Sequence, residues 1–338
     1  MKSIFRCACT LVCCVFFVTG MWSCSQKGDG PQAQDAGDPF ALTPATDDAS
    51  TAPDLKVNLP VSAVYRYKVS QQEELVQDDS MSVSSVTTSY YTKTVTANRN
   101  GLVTFTVRYD SISETQSGKG MGPDDKTVTY NSANPANRND PKYVMVNKLI
   151  GEPVSITVNA KGLIEEISGL SGIINAISAS TSKPLSDTAR LQLAEQVKQV
   201  YFAQLVSQEQ LSFPESPVDS TMSWSKNVQQ QMPPVFLANT VMTYKIGARG
   251  TRGGSSVARI DAGLSGSIGL ALPKIPVTIS KGLISGKGTT LIDVQTGHTI
   301  RKTASIRQEL TASAPNPSTK KTDTVKQVKV SSLTVELL

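Results

Sequence analysis

Runs in which apolar and polar side chains alternate with a period of two recur from about residue 65 to the end of the sequence, and this pattern constrains the fold more than any other feature. In Tyr65-Arg66-Tyr67-Lys68-Val69 the apolar and basic residues take turns. Val103, Phe105, Val107 and Tyr109 repeat the pattern, as do Met242, Tyr244 and Ile246, then Val277 and Ile279, Val328 and Val330, and Leu333, Val335 and Leu337. Successive side chains of a strand point to opposite faces, so each run predicts a strand with one apolar and one wet face. Strands of that kind belong to antiparallel sheets covered on one side. The Ser- and Thr-rich stretch 80–96 fits the same scheme, and Asn98-Arg99-Asn100-Gly101 and Ala160-Lys161-Gly162 are turn signals between strands. The glycine-rich stretches 247–254, 263–269 and 281–288 read as hairpin tips or bulges, and 118–140 as a long polar loop with one short strand near Val128.

Two helical patterns interrupt the strands. Leu170, Ile173, Ile174 and Ile177 follow the i, i+3, i+4, i+7 spacing of a helical face. A second helix is expected after Pro184, with Ser186 as its N-cap and Asp187 in its first turn. It runs to about Ser207, with Leu193, Val197, Val200, Tyr201 and Gln204 along one stripe, and Phe213-Pro214 ends any helical run. The fold class expected is α+β, mainly antiparallel β.

The first 54 residues are of a different kind. Lys2 and Arg6 precede an apolar run from Cys7 to Val18 and small residues up to Ser23, the three-part pattern of a secretory signal. All five cysteines lie in the first 24 residues. Cleavage before Cys24 would leave one cysteine, at the new N-terminus, and no thiol pair for a disulfide or metal cluster in the body. Met21-Trp22-Ser23-Cys24 resembles the bacterial lipobox, with Met21 where Leu is usual and Ser23 where Gly or Ala is commoner. That resemblance implies lipid on Cys24 and a bilayer as the first partner, since two or more acyl chains suffice for stable anchoring. Residues 25–54 hold four Pro, three Gly, six Asp and one Lys, too little apolar surface to offset the entropy of ordering. The domains expected are therefore a signal at 1–23, a lipidated tether at 24–54 and a β-rich body at 55–338, either a single large domain or two halves meeting near 210–220. Ser25 after the lipidated position resembles the outer-membrane default of lipoprotein sorting, which leaves open whether the body faces periplasm or cell surface.

Charge separates along the same boundary. The formal net charge of +5 includes +2 on the signal and −5 on the tether, which leaves about +8 on the body. No run of five or six Lys and Arg marks a nucleic-acid surface, and export would place the chain away from nucleic acid.

Catalytic chemistry finds little support. The one histidine, His298, has no second histidine or body cysteine as metal co-ligand, so no metal and no cofactor is expected. Ser223 and Lys226 have the spacing of a serine acyl-transfer dyad, but in a strand-like segment residues three apart face opposite ways. Gly282-Leu-Ile-Ser-Gly286-Lys287-Gly288 lacks the spacing of a phosphate loop. The acidic pairs Glu73-Glu74, Asp78-Asp79, Asp124-Asp125 and Glu165-Glu166 diverge if they sit on strands. No catalytic residue is assigned.

One resemblance spans most of the body. The order of Tyr65-Arg-Tyr, Asn100-Gly101 before Val103-Thr-Phe-Thr-Val, Gly151-Glu-Pro with Ile156-Thr-Val-Asn-Ala-Lys-Gly162, Phe213-Pro, Ser223-Trp224, and Ile292-Asp293 with Thr296-Gly297 resembles an uncharacterised family of bacterial lipoproteins. The family's usual Gly-Asp before the Trp is replaced by Thr221-Met222-Ser223. Such proteins are similar in outline to periplasmic lipoprotein-carrier half-barrels. The resemblance implies a curved antiparallel sheet or half-barrel with two or so amphipathic helices on its concave face. Ile173, Ile174, Ile177, Val197 and Tyr201 would then line an apolar groove. A binding or carrier module for a hydrophobic ligand is the leading expectation, a structural or interaction protein the second, and an envelope hydrolase using carboxylates the third.

Overall fold

The computed structural model describes residues 38–44, 53–119, 127–138, 140–181, 184–214, 222–232, 235–272, 275–316, 319 and 321–338. Thirteen strands form one sheet. The first part of the chain supplies β1 (Thr43–Pro44), β2 (Val64–Gln77), β3 (Met81–Arg99), β4 (Leu102–Lys119), β5 (Thr127–Asn131), β6 (Val154–Asn159) and β7 (Ile164–Ser168). The second part supplies β8 (Ser223–Met232), β9 (Phe236–Arg252), β10 (Ser255–Leu270), β11 (Thr278–Asp293), β12 (Thr299–Pro315) and β13 (Thr322–Leu337). Between β5 and β6 lie two single turns, α1 (Pro135–Arg138) and α2 (Val144–Asn147). Between β7 and β8 lie α3 (Ser171–Ser178), α4 (Asp187–Val197), a π-helical stretch Lys198–Ala203 and α5 (Gln204–Glu209).

The strand order is β1-β9-β10-β11-β12-β13-β2-β3-β4-β6-β7, with β5 also on β4 and β8 also on β9. All strand pairs are antiparallel, and each of β8 through β12 pairs with the next in sequence. β13 then pairs with β2, so the first long strand and the last meet mid-sheet and leave β7 and the β1/β8 pair as the outer strands. No register joins β7 to β1 or β8 among the described residues, so the sheet is open. The helical segment links its two edges. Strands on both sides of 210–220 belong to this one sheet, and their inward side chains share one buried cluster.

This architecture corrects the expected class. Strand accounts for 60% of the chain and helix for 16%, in a large open sheet with few, small helices, rather than an α+β half-barrel capped by two amphipathic helices. Two physical causes stand out. The glycines of 263–269 and 281–288 lie inside β10 and β11 instead of at hairpin tips, so strands of 16 residues replace shorter ones. There the missing Cβ permits close strand approach; one on Gly286 would come 2.3 Å from the Ser305 carbonyl. The second helix also lacks a broad apolar face. In α4 only Val197 is buried and Leu191 is 72% exposed, although Ser186 Oγ caps it as expected by accepting from Ala189 N at 3.2 Å.

Local signals held where the chemistry is short-range. Asn100 and Gly101 both take positive φ, 54° and 74°, the turn that matches the twist of a hairpin. Gly162, φ 76°, closes the β6–β7 turn where any Cβ would lie 2.5 Å from the Leu211 carbonyl. Residues 55–59 bridge distant turns: Val57 N donates to Ala160 O at 2.8 Å, and Asn58 N to Thr296 O at 2.9 Å. Residues 38–44, within the stretch whose composition suggested a tether, lie along β9 with Thr43 opposite Thr251. Arg252 donates to the Pro39 carbonyl at 2.5 Å, and Arg301 sits 5.9 Å from the Phe40 ring.

Candidate functional site

The inward face of the central strands changes character along its length. Near one end it is apolar, with Val95, Val103, Phe105 and Val107 buried. Toward the β2–β3 hairpin it turns polar, because alternate residues of β2 and β3 are Gln71 and Glu73, and Ser85 and Thr87. Opposite this stretch runs the end of the helical segment. Its π-helical turn widens the helix by one residue per turn. Phe202 packs fully buried against Tyr109, ring centroids 5.7 Å apart, while Val200 and Tyr201 remain half-buried on the cavity side. Tyr109 also donates its hydroxyl to the Tyr201 carbonyl at 2.7 Å, which fixes the helix over β4.

A cavity of about 340 Å³ lies between the two layers. Its apolar wall includes Val69, Leu75, Val83, Ile112, Val146 and Leu205. Its polar wall is ordered by register. Glu73, Ser85 and Gln116 form one row across β2, β3 and β4, and Gln71, Thr87 and Glu114 form the next. Lys329 of β13 pairs with Glu73 at 2.8 Å, and Gln71 donates to the same carboxylate oxygen at 2.9 Å. Gln208 of α5 donates to Gln71 at 2.8 Å and ties roof to floor. Glu114 has no hydrogen-bonded or ion-paired partner among the described residues. Burial, then the Glu73 charge, raises its pKa above the ordinary carboxylate value.

Next to the cavity, a buried ionic cluster clamps the end of α5 to the sheet. Glu209 receives Lys93 Nζ on one oxygen and the Tyr91 hydroxyl at 2.8 Å on the other. The Lys93 ammonium also lies 4.9 Å from the Phe105 ring centroid and 5.3 Å from that of Tyr67. Thr299 Oγ1 donates to the Glu209 carbonyl at 2.7 Å, and the Tyr67 hydroxyl to the Thr299 carbonyl at 2.9 Å. Burial, and then Glu209, hold the Tyr67 and Tyr91 phenols well above their usual pKa, so both remain donors. Buried Lys302 is pushed down to about 7 by desolvation, with Glu209 pulling the other way.

The residues singled out from sequence fall in several places. Ile173, Ile174, Ile177 and Val197 are buried in the packed core and do not line the cavity; Tyr201 does, with its hydroxyl 3.6 Å from Met145 Sδ. Cys24 and the signal lie outside the described residues. His298 is in contact with Thr296 Oγ1 at 2.6 Å and the Tyr65 ring at 4.9 Å, and burial lowers its pKa. Ser223 and Lys226 lie on β8, where Ser223 is exposed and Lys226 Nζ is 3.1 Å from Ser212 Oγ. Among the described residues no group of three or more His, Cys, Asp or Glu could hold a metal ion, and no helix is long and apolar enough to cross a membrane. Glu73 points inward and Glu74 outward, as strand geometry requires.

A protein-family model described as a family of unknown function (DUF6263) matches residues 100–268, half of the chain. The chain belongs to this family. The match runs from the turn before β4 into β10, so DUF6263 includes the helical segment and the β4 wall of the cavity, while β2 and β13 lie beyond the match. No curated protein matches the chain. Among solved structures it is similar to one of lipovitellin, described by its lipid–protein interactions, at 10% identity and a TM-score of 0.44, over 83% of this chain and 25% of that one. The chain thus spans about a quarter of the lipovitellin chain. An outer membrane channel from Pseudomonas putida F1 follows at 9% identity and a TM-score of 0.18, over 87% of this chain and 100% of that one. A DUF1329 family protein from Desulfovibrio piger stands at 8% and 0.15, over 80% and 85%.

Proposed function

We propose that the chain is a non-enzymatic binding module that holds one small amphipathic molecule between residues 198–209 and strands β2–β4. The observation that carries this reading is the cavity. At about 340 Å³ it falls at the lower end of the roughly 300–1,000 Å³ typical of small-molecule sites. Its apolar wall would reward burial of a hydrocarbon portion by about 25 cal/mol per Å². The rows of Gln, Ser, Thr and Glu would orient a polar end. The reading includes attachment to the cell envelope by lipid on Cys24, supported by the basic, apolar and small-residue order of the first 24 residues.

Glu73 and Glu114 line the same cavity, the one feature that favours a hydrolytic reading. Glu73 is committed to Lys329 and Gln71, however, which leaves a single carboxylate for proton transfer. Native mass spectrometry of protein purified from its own cells tests the binding reading. A non-covalent small-molecule adduct is expected, and a bare chain under conditions that keep other ligand complexes intact would overturn it.

A further inference from the structure

We infer that the molecule held in the cavity carries a cationic group, a protonated amine or its equivalent, and that Glu114 receives it. This inference rests on the binding reading above and adds the chemistry of the ligand's polar end.

Among the described residues three charged side chains line the cavity: Glu73, Glu114 and Lys329. Lys329 is already matched, since its ammonium lies 2.8 Å from Glu73, whose same oxygen also accepts from Gln71 and, at 3.5 Å, from Ser331. That leaves Glu114, one row away across β3, as the charge with no counterpart among the described residues. A half-buried carboxylate without a partner costs free energy in the empty site. The raised pKa of Glu114 reports that cost and has burial as its first cause. A cation at this point would complete a two-plus, two-minus set within the cavity. A carboxylate or phosphate there would face Glu114 directly and meet repulsion, with Lys329 already engaged. Thr87, opposite Glu114 in register, and Gln204 of the roof supply hydrogen-bonding groups around the same spot.

The apolar wall sets the remainder of the ligand. Ile112 precedes Glu114 by two residues on the same face of β4, and Leu205 and Val146 also line the cavity. A short alkyl or aryl chain bearing an amine matches this layout.

The test compares decylamine, decanoate and decanol, matched in chain length and used below their aggregation limits, by isothermal titration into the wild-type chain, Glu114→Gln and Glu74→Gln. Glu74 is exposed on the opposite face of β2 and controls for general surface charge. The expected result is a preference of roughly tenfold or more for decylamine in the wild type, the scale of one hydrogen bond to a charged group. Glu114→Gln should remove the preference, so that decylamine binds no better than decanol; Glu74→Gln should leave the preference intact. Equal binding of the three probes overturns the cationic ligand and leaves the cavity reading standing. So does a preference that survives in Glu114→Gln or falls equally in Glu74→Gln. Failure of all three probes to bind overturns the cavity reading and this inference with it.

Discussion

Replacing Glu209 by Gln keeps the shape of the side chain and removes its charge from a site where neither partner can turn to water. The side chains of Lys93 and Glu209 are 1% and 2% exposed. The wild-type carboxylate accepts from both Lys93 and the Tyr91 hydroxyl. A carboxamide has one acceptor oxygen and one NH₂, so whichever way it faces, either Lys93 or Tyr91 meets a donor in place of an acceptor. Where the NH₂ faces Lys93, the ammonium keeps the faces of Phe105, Tyr67 and Tyr65 for compensation. Breaking a buried pair in this manner costs about 3–5 kcal/mol, a large share of the roughly 5–15 kcal/mol that separates folded from unfolded chains. Lys302 would lose the favourable pull of that charge as well. Urea denaturation followed by circular dichroism should show a lower midpoint for Glu209→Gln with an unchanged slope. The double variant Lys93→Met/Glu209→Leu should recover most of that loss, because an apolar pair of similar volume removes the stranded charge. A Glu209→Gln cost below about 1 kcal/mol, or a double variant whose loss equals the sum of the single ones, would refute the view that this pair clamps α5 to the sheet.

Three further outcomes follow from the same geometry. Lys302 titrates near 7 when folded and near 10.5 when unfolded, so between those values the unfolded chain binds more protons and wild-type stability rises with pH; Lys302→Met should flatten that rise, and parallel profiles would contradict it. In Gly250→Val the new side chain would start from a Cβ 2.1 Å from the Thr43 carbonyl, so residues 38–44 should leave β9 and become the first site of limited proteolysis, whereas an unchanged digestion pattern would count against their docking. Labelling cells with a palmitate analogue should mark the wild-type protein and not Cys24→Ala; label that persists on the variant sinks the lipid anchor.

What the sequence made legible was local. The alternation at Tyr65–Val69 predicts which residues turn inward, and Tyr67 and Val69 are buried while Arg66 is exposed. Ser186, Asn100-Gly101 and Gly162 act through neighbours within a few residues, so their roles need no knowledge of the fold. Glu114 was hidden by a change of phase. Val103, Phe105, Val107 and Tyr109 point inward at odd positions, but an irregularity between Tyr90 and Tyr91 opposite β4 shifts the register, and Ile112 and Glu114 face inward at even ones. Continued alternation would place Glu114 on the outer face. Lys93 occupies an inward position between Tyr91 and Val95, yet a lysine there reads as a break in the pattern until Glu209, 116 residues away, is brought beside it. The helical stripe was legible only in part, for a related reason. Spacing identifies an apolar face but not what it meets: Ile173, Ile174 and Ile177 meet a filled core, whereas Tyr201 of the same predicted set lines the cavity beside Val200.

The most direct measurement compares two tryptophan substitutions, Val200→Trp in the cavity roof and Ile177→Trp in the packed core, for thermal stability and for uptake of a fluorescent alkyl probe. Overpacking a filled site costs about 1–3 kcal/mol, and Ile177→Trp should show that loss while still taking up probe. Val200→Trp should leave stability nearly unaltered, because the indole enters existing space, and should block uptake. Equal destabilisation by both substitutions, together with no uptake by the wild type, would contradict a ligand site beneath Val200 and leave a sheet packed only by its own side chains.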